Sequence, residues 1–331
     1  MKILIVAGTR PQLIKISQLT NHFDWLNTGQ HYDELMNDVF MKELKIKKPI
    51  KNLDNSNLGE MISLIEGVLQ VKKYDAVLVV GDTNSTLAGA IAAKQQGKVL
   101  IHLEAGCRSG NMTMIEEQNR IMVDHISDYL LCCSEKNVEQ LEEKEKVAGI
   151  TAHVGHIGID TIWSILPIKP IEEDFYFMTL HRAENVDNEV KLKEIIKAIG
   201  KIPGKVKFAV HPRTENKLKE FKITLPKNVE KLEPLNYKET MRHVASAKKV
   251  LTDSGSLQVE AHFLATPCIT LRDETEWTET LENNRNILVG SHEMMILSAI
   301  RQNSTGSRNF YYGGSEGGKI TEDIIFLLKN L

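Results

Sequence analysis

The segment HLEAGCRSGNMTMIEEQNR, residues 102–120, leaves an apolar run and sets Glu104, Arg108, Glu116, Glu117 and Arg120 close together. Carboxylates interleaved with guanidinium groups can move protons and stabilise positive charge, and they are costly to bury unless paired. Arg120 lies one turn on from Glu116 and is expected to pair with it. A second segment, VVGDTNSTLAGAIAA (79–93), sets Asp82 directly after a strand with Thr83, Asn84 or Ser85 available to cap the following helix. Taken alone, Asp82 reads slightly better as a cap than as a reactive group.

Three turns have residues suited to anions. GTRPQLIK (8–15) joins a glycine to a proline at a helix start, with Arg10 and Lys15 beside it. Helix amides and two cations suit a phosphate, although the spacing is neither a Walker loop nor a dinucleotide fingerprint and by itself favours an ordinary surface turn. TDSGSLQVEA (252–261) offers the amides of Ser254, Gly255 and Ser256 to a diphosphate and Glu260 to ribose hydroxyls. Asp253 stands where a serine-hydrolase elbow would need a different spacing, so that chemistry is disfavoured. TLHRAEN (179–185) ends a strand with His181 beside Arg182, equally readable as structural or catalytic, and His211-Pro212-Arg213 repeats the theme more weakly. No metal-ligand spacing stands out.

The elements that must position these residues are short apolar runs at 3–8, 76–81, 99–106, 129–134 and 152–158, separated by helix-length segments. The pattern restarts after residue 173 with runs at 175–181, 206–212, 229–235, 249–255, 267–273 and 286–290. Such runs predict parallel βαβ units buried on both faces. Two α/β domains are expected, residues 1–167 and 168–331, joined near 165–173. Most runs end in polar residues, where open parallel sheets bind ligands. Residues 303–319 are rich in Gly and Ser and read as a mobile loop before a last helix, ITEDIIFLLKNL.

The 331 residues are 42% hydrophobic and 26% charged, with a formal charge of −3, as expected for a globular chain without general attraction to nucleic acid or anionic membrane. No stretch is long enough to span a membrane, and MKILIVAGTRP reads as a first strand rather than a leader. Cys107, Cys132, Cys133 and Cys268 have neither zinc nor disulfide-scaffold spacing, which points to a reduced, cytoplasmic setting.

Taken in order, AGTRPQLIK, NTGQHYDELMNDVF, VVGDTNSTLAGAIAA, HLEAGCRSG, EEQNR, LHRAEN, LTDSGSLQVEA and LRDETEW resemble the non-hydrolysing UDP-N-acetylglucosamine 2-epimerase family over nearly the whole chain. They look more like its branch with archaeal enzymes and UDP-2,3-diacetamido-glucuronate 2-epimerases than like its enterobacterial branch. The resemblance implies two Rossmann-like domains in a GT-B arrangement, an active site in the interdomain cleft, and a last helix that crosses back to the first domain. It implies inversion of C2 in a UDP-2-acetamido sugar, UDP-GlcNAc to UDP-ManNAc, by anti elimination of UDP and syn re-addition. No cofactor or metal is implied, and a homodimer is. Carried over by position, Asp82, Glu104, Glu116 and His181 are the catalytic candidates. Arg10, Lys15, Ser254, Gly255 and Ser256 fall on UDP-binding positions and Glu260 on the ribose-binding one.

The chain departs from the family pattern in three places: Ile115 and Thr278 stand where proline is usual, and Ser256 where glycine is. Other readings stay open: another UDP-2-acetamido sugar such as UDP-2,3-diacetamido-glucuronate, a hydrolysing epimerase, a nucleotide-sugar-binding protein with weakened catalysis, or a GT-B glycosyltransferase.

Overall fold

The computed structural model describes residues 1–30, 40–303 and 320–331; His31, Tyr32 and Asp33 of the GQHYD segment and nearly all of the Gly/Ser-rich stretch lie outside them. Among the described residues, those up to 164 and those from 320 to 331 form one unit, and those from 165 to 303 the other. Each unit is built on a six-stranded sheet whose neighbouring strands all run parallel.

The first sheet has the order β2-β1-β3-β4-β5-β6. Its strands are β1 (Ile3–Ala7), β2 (Asp24–Asn27), β3 (Ala76–Val80), β4 (Val99–Ala105), β5 (Tyr129–Cys132) and β6 (Ile150–His153). Every residue of β1 and β3 is buried, as a strand covered on both faces requires. Helix α1 (Arg10–Ile16) follows β1, α2 (Leu58–Val71) precedes β3, α3 (Asn84–Gln95) follows β3, and α4 (Ile115–Ile126) follows β4. Leu4, Val6, Val77, Val79, Leu100 and Val123 belong to one core. Gly89 lets α3 lie close on the sheet, since a Cβ there would come within 2.8 Å of Val79 and 3.1 Å of Val6. The last helix, Ile320–Asn330, belongs to this unit and donates its Thr321 amide to Asp160 at 2.6 Å.

The second sheet has the order β12-β11-β10-β7-β8-β9. Its strands are β7 (Phe175–Leu180), β8 (Lys205–Val210), β9 (Val229–Leu232), β10 (Val250–Thr252), β11 (Cys268–Thr270) and β12 (Asn286–Leu288). Met178, Phe208, Val210, Leu251, Ile269 and Ile296 lie in its core.

Two strands depart from the sequence reading. β2 went unrecognised because it is a four-residue edge strand, DWLN, in which only Trp25 and Leu26 are fully buried. β6 begins at Ile150, earlier than the apolar run at 152–158, and stops at His153 inside that run, before Gly155 turns the chain at φ +88°. Among the described residues no helix is long and apolar enough to cross a membrane, and no group of three or more ligating side chains gathers to hold a metal. The four cysteines are buried and lie outside any disulfide.

Candidate active site

In the first sheet the strand order reverses between β1 and β3, so the turns after these strands open away from one another at their carboxyl ends. Gln12 joins the two turns. Its Oε1 accepts from the amides of Gly8 (2.9 Å) and Thr9 (3.1 Å), while its Nε2 donates to the Val80 carbonyl (2.9 Å) and Thr86 Oγ1 (3.0 Å). Gly8 is required there, since a Cβ would overlap the Thr28 hydroxyl. Gln12 gave no signal in the sequence, because a polar residue in a short helix is ordinary until its partners are known. Arg10 places its guanidinium 5.0 Å from the ring centre of Phe40.

Thr83 caps α3 through Thr86, which removes the cap reading for Asp82. Asp82 instead forms an ion pair with Arg120, whose other terminal nitrogen reaches Glu117 at 2.5 Å. Asn119 donates to the Asp82 carbonyl at 3.0 Å and to Asn84 at 3.2 Å, so consecutive residues of α4 grip the same turn. The expected partnership of Arg120 with Glu116 is therefore corrected to Glu117 and Asp82. Three residues on from Glu117, the guanidinium of Arg120 can span both carboxylates as an ammonium could not.

Glu117 is the acid that the sequence reading left without a role. It is 1% exposed and also accepts from the amides of Ser109 (3.0 Å) and Gly110 (2.8 Å), fastening the loop after β4 to the start of α4. Its neighbour Glu116 is half-buried. The inward residues of α4 include Glu117, Arg120 and Asp124, while Ile115, Met122 and Ile126 form an exposed stripe. This inverted amphipathic pattern is why charges follow a buried strand.

Glu104 sits in a bulge of β4, where the pairing with β5 shifts register between Leu103 and Ala105, and its φ is +77°. The bulge turns its side chain onto Lys15, with which it forms a buried ion pair. Gly81, at φ +69°, lies beside this pair: a Cβ there would be 3.8 Å from Glu104 Oε2 and 3.9 Å from Lys15 Nζ. Burial pushes the Glu104 carboxyl above its ordinary value, against the pull of Lys15 and with a further push from Asp82. Lys15 is thus placed on a carboxylate, whereas the sequence reading put it among the phosphate-binding groups.

This geometry sets a pH dependence. Lys15 lowers the pKa of Glu104, so Lys15→Met removes that pull and raises it. The limb of the kcat/KM profile set by Glu104 is expected to move to higher pH. A profile that stays put or moves to lower pH rules out Glu104 as the titrating group.

The second sheet repeats the design, reversing between β7 and β10. After β10, Asp253 is fully buried and accepts from the amides of His181 (3.1 Å) and Arg182 (2.8 Å) and from Asn185 Nδ2 (3.3 Å). Its carboxylate also stands 3.2 Å from His181 Nδ1, whose side chain is 40% exposed. Burial would raise the Asp253 pKa, but His181 and the two amides outweigh it and hold the group below its ordinary value. In sequence Asp253 is only a departure from another motif; in the structure it orients His181.

Helix α5 (Gly255–Phe263) follows Asp253, with Ser254 as its N-cap. The Ser254 amide is engaged by Thr252 Oγ1 at 3.0 Å. Gly255 is needed because a Cβ would collide with the Glu276 carboxylate, which pairs with buried Arg272 at 2.9 Å. Glu260 lies buried on α5. Gln258 holds the neighbouring segments, accepting from Thr275 Oγ1 (2.8 Å) and Asn286 Nδ2 (2.9 Å).

The three departures from the family pattern fall where the backbone tolerates them. Ser256 occupies the second position of α5, with no left-handed φ that would demand glycine. Ile115 is the first residue of α4, where proline is favoured for its preset φ but not required. Met114 before it has φ −79° and ψ 131°, a conformation that accepts a following proline. Ile115→Pro is therefore expected to stabilise the protein by about 0.4–1 kcal/mol. Thr278 also opens a helix, but Trp277 before it has ψ 60°, outside the range that proline imposes, so Thr278→Pro is expected to destabilise. Thermal melts of the two variants moving in the same direction would contradict this assignment.

Two parallel sheets with polar residues gathered at their switch points make this a protein with two Rossmann-like units, the first holding a buried carboxylate cluster. The chain belongs to the UDP-N-acetylglucosamine 2-epimerase family, whose sequence profile matches residues 17–324. It is 38% identical to a UDP-N-acetylglucosamine 2-epimerase homolog of Methanococcus maripaludis, covering 100% of both chains. It is 37% identical to the UDP-2,3-diacetamido-2,3-dideoxy-D-glucuronate 2-epimerase of Pseudomonas aeruginosa, covering 97% of this chain and 99% of that one. Among solved structures, the UDP-GlcNAc 2-epimerase of Methanocaldococcus jannaschii, in complex with UDP-GlcNAc and UDP, is similar with a TM-score of 0.91 and 37% identity over 100% of both chains.

Proposed function

We propose that the protein interconverts UDP-GlcNAc and UDP-ManNAc without hydrolysing them. The observation that carries this reading is the grouping of Asp82, Glu104 and Lys15 with Arg120 at the first switch point, in a chain of this family. C2–H has no adjacent carbonyl to acidify it, so its removal must be coupled to departure of the diphosphate. Base takes the C2 proton, the C1–O bond to UDP breaks, and a C1–C2 double bond forms. UDP then re-adds at C1 while a proton reaches C2 from the opposite face. The transition states have oxocarbenium character, which nearby carboxylates stabilise.

Asp82, Glu104 and Glu116 share the proton transfers and the stabilisation of charge. A carboxyl with a raised pKa, as at Glu104, is a stronger base than an ordinary carboxylate and can both take and return a proton. Lys15 poises Glu104. Asp253 fixes Nδ1 of His181, leaving Nε2 to the departing diphosphate. Arg10, the amides of Gly255 and Ser256, and the Ser254 hydroxyl serve the UDP phosphates, and Glu260 serves the ribose.

Proton and phosphorus NMR of purified protein incubated with UDP-GlcNAc tests the reading. UDP-ManNAc with its diphosphate attached is expected. Free ManNAc with UDP would show a hydrolysing enzyme, and unchanged substrate would overturn the reading. The likeness to the P. aeruginosa enzyme makes UDP-2,3-diacetamido-glucuronate the second substrate to try. The protein acts as a homodimer in the cytoplasm; the exposed stripe on α4 supports the first part, and the buried cysteines without disulfides support the second.

A further inference from the structure

Asp124, on the inward face of α4, takes no part in the chemistry above. It is fully buried, and its Oδ1 stands 2.6 Å from Nδ1 of His102, which is equally buried. Its Oδ2 accepts from the Gly106 amide at 3.1 Å and pairs with Arg108 Nη2 at 2.7 Å. The second nitrogen of His102, Nε2, lies 2.8 Å from the Gly81 carbonyl. A carbonyl can only accept, and a carboxylate bound by an amide and a guanidinium is ionised and also accepts. The His102 ring therefore donates through both nitrogens. Arg108 is held in turn by Glu145, through two bonds of 2.7 Å.

The partners of this pair bracket the acids. His102 and Gly106 stand two residues before and after Glu104, Gly81 immediately precedes Asp82, and Asp124 shares α4 with Glu116. Glu104 keeps φ +77°, a conformation that a residue with a side chain retains only where its surroundings over-determine it. Anchors on both sides of the bulge supply that constraint. One buried carboxylate, acting directly and through His102, thus ties together the three segments that hold Asp82, Glu104 and Glu116.

We infer that Asp124 and His102 are positioning residues that set the spacing of the three acids. The inference rests on the epimerase reading and adds to it. Fully buried, the pair acts through the acids and not on the substrate.

The test compares Asp124→Asn, His102→Gln and His102→Leu with the wild type by C2 hydrogen exchange from D2O into UDP-GlcNAc. A misplacement on the order of 1 Å costs about a hundredfold, so kcat of Asp124→Asn is expected to fall by about that factor. KM, and the UDP dissociation constant measured by calorimetry, are expected to stay within about threefold, as for a loss confined to the transition state. His102→Gln can still donate to the Gly81 carbonyl and should retain more activity than His102→Leu. Wild-type kcat in Asp124→Asn overturns the inference. So do losses in which KM rises with the fall in kcat and His102→Gln is no better than His102→Leu. Circular dichroism showing both Asp124→Asn and His102→Gln unfolded also overturns it, since the pair would then hold the unit and not the acids. An inactive wild type would count against the epimerase reading itself, whereas an active wild type beside an equally active Asp124→Asn removes only the positioning role.

Discussion

Glu104→Gln is expected to lower kcat/KM for C2 inversion by about 10²–10⁴-fold, the range for loss of a group that transfers a proton. Glutamine keeps the length and polarity of the side chain and can still accept from Lys15, but it cannot take the C2 proton. In the proposed mechanism the loss belongs to kcat, because there the carboxylate acts on the reacting carbon and not on UDP. Binding of UDP alone, which the proposal gives to Arg10 and to residues of the second unit and not to Glu104, is expected to be unchanged. Asp82→Asn and Glu116→Gln should behave alike, with the Asp82 change also weakening the hold of Arg120. Isotope exchange in each variant, read beside UDP binding, checks this. A variant with near wild-type exchange removes that acid from the mechanism.

Arg120→Met is expected to be the most destabilising single substitution at the site. The guanidinium side chain is 4% exposed and bridges Asp82 and Glu117, the latter 1% exposed. Without it two carboxylates stay close together with their common counter-ion gone. Breaking a buried pair by removing one partner costs about 3–5 kcal/mol. A domain of this size loses about 2–4 °C of melting temperature per kcal/mol, so a fall of roughly 6–20 °C is expected. Arg120→Lys should recover only part of it, because one ammonium cannot serve both carboxylates in the fork geometry. A melting temperature within a degree or two of wild type in Arg120→Met would show that the carboxylates find other compensation.

Much of this was legible in the sequence where the physics is local. Unbroken apolar runs such as ILIVA and AVLVV, short and rich in β-branched residues, suit strands covered on both faces, and the polar residues at their ends follow from the position of the turns. What could not be read depends on long-range partners. Gln12 contacts residues 68 and 74 positions away, and Asp253 meets His181 across 72. Arg120 had carboxylates at i−3 and i−4, and sequence spacing does not decide between them; the choice of Glu117 follows from a loop that donates two amides to it. The bulge that exposes Glu104 to Lys15 is likewise a matter of register between β4 and β5, which the apolar pattern of β4 does not contain.

The most direct measurement is proton NMR of wild-type protein with UDP-GlcNAc in D2O. Incorporation of one deuterium at C2, with UDP-ManNAc appearing and the diphosphate still attached, is the expected result. Retention of hydrogen at C2 while UDP-ManNAc accumulates would contradict the elimination chemistry assigned to the carboxylates. Failure of both exchange and turnover, with UDP bound normally, would contradict the epimerase reading.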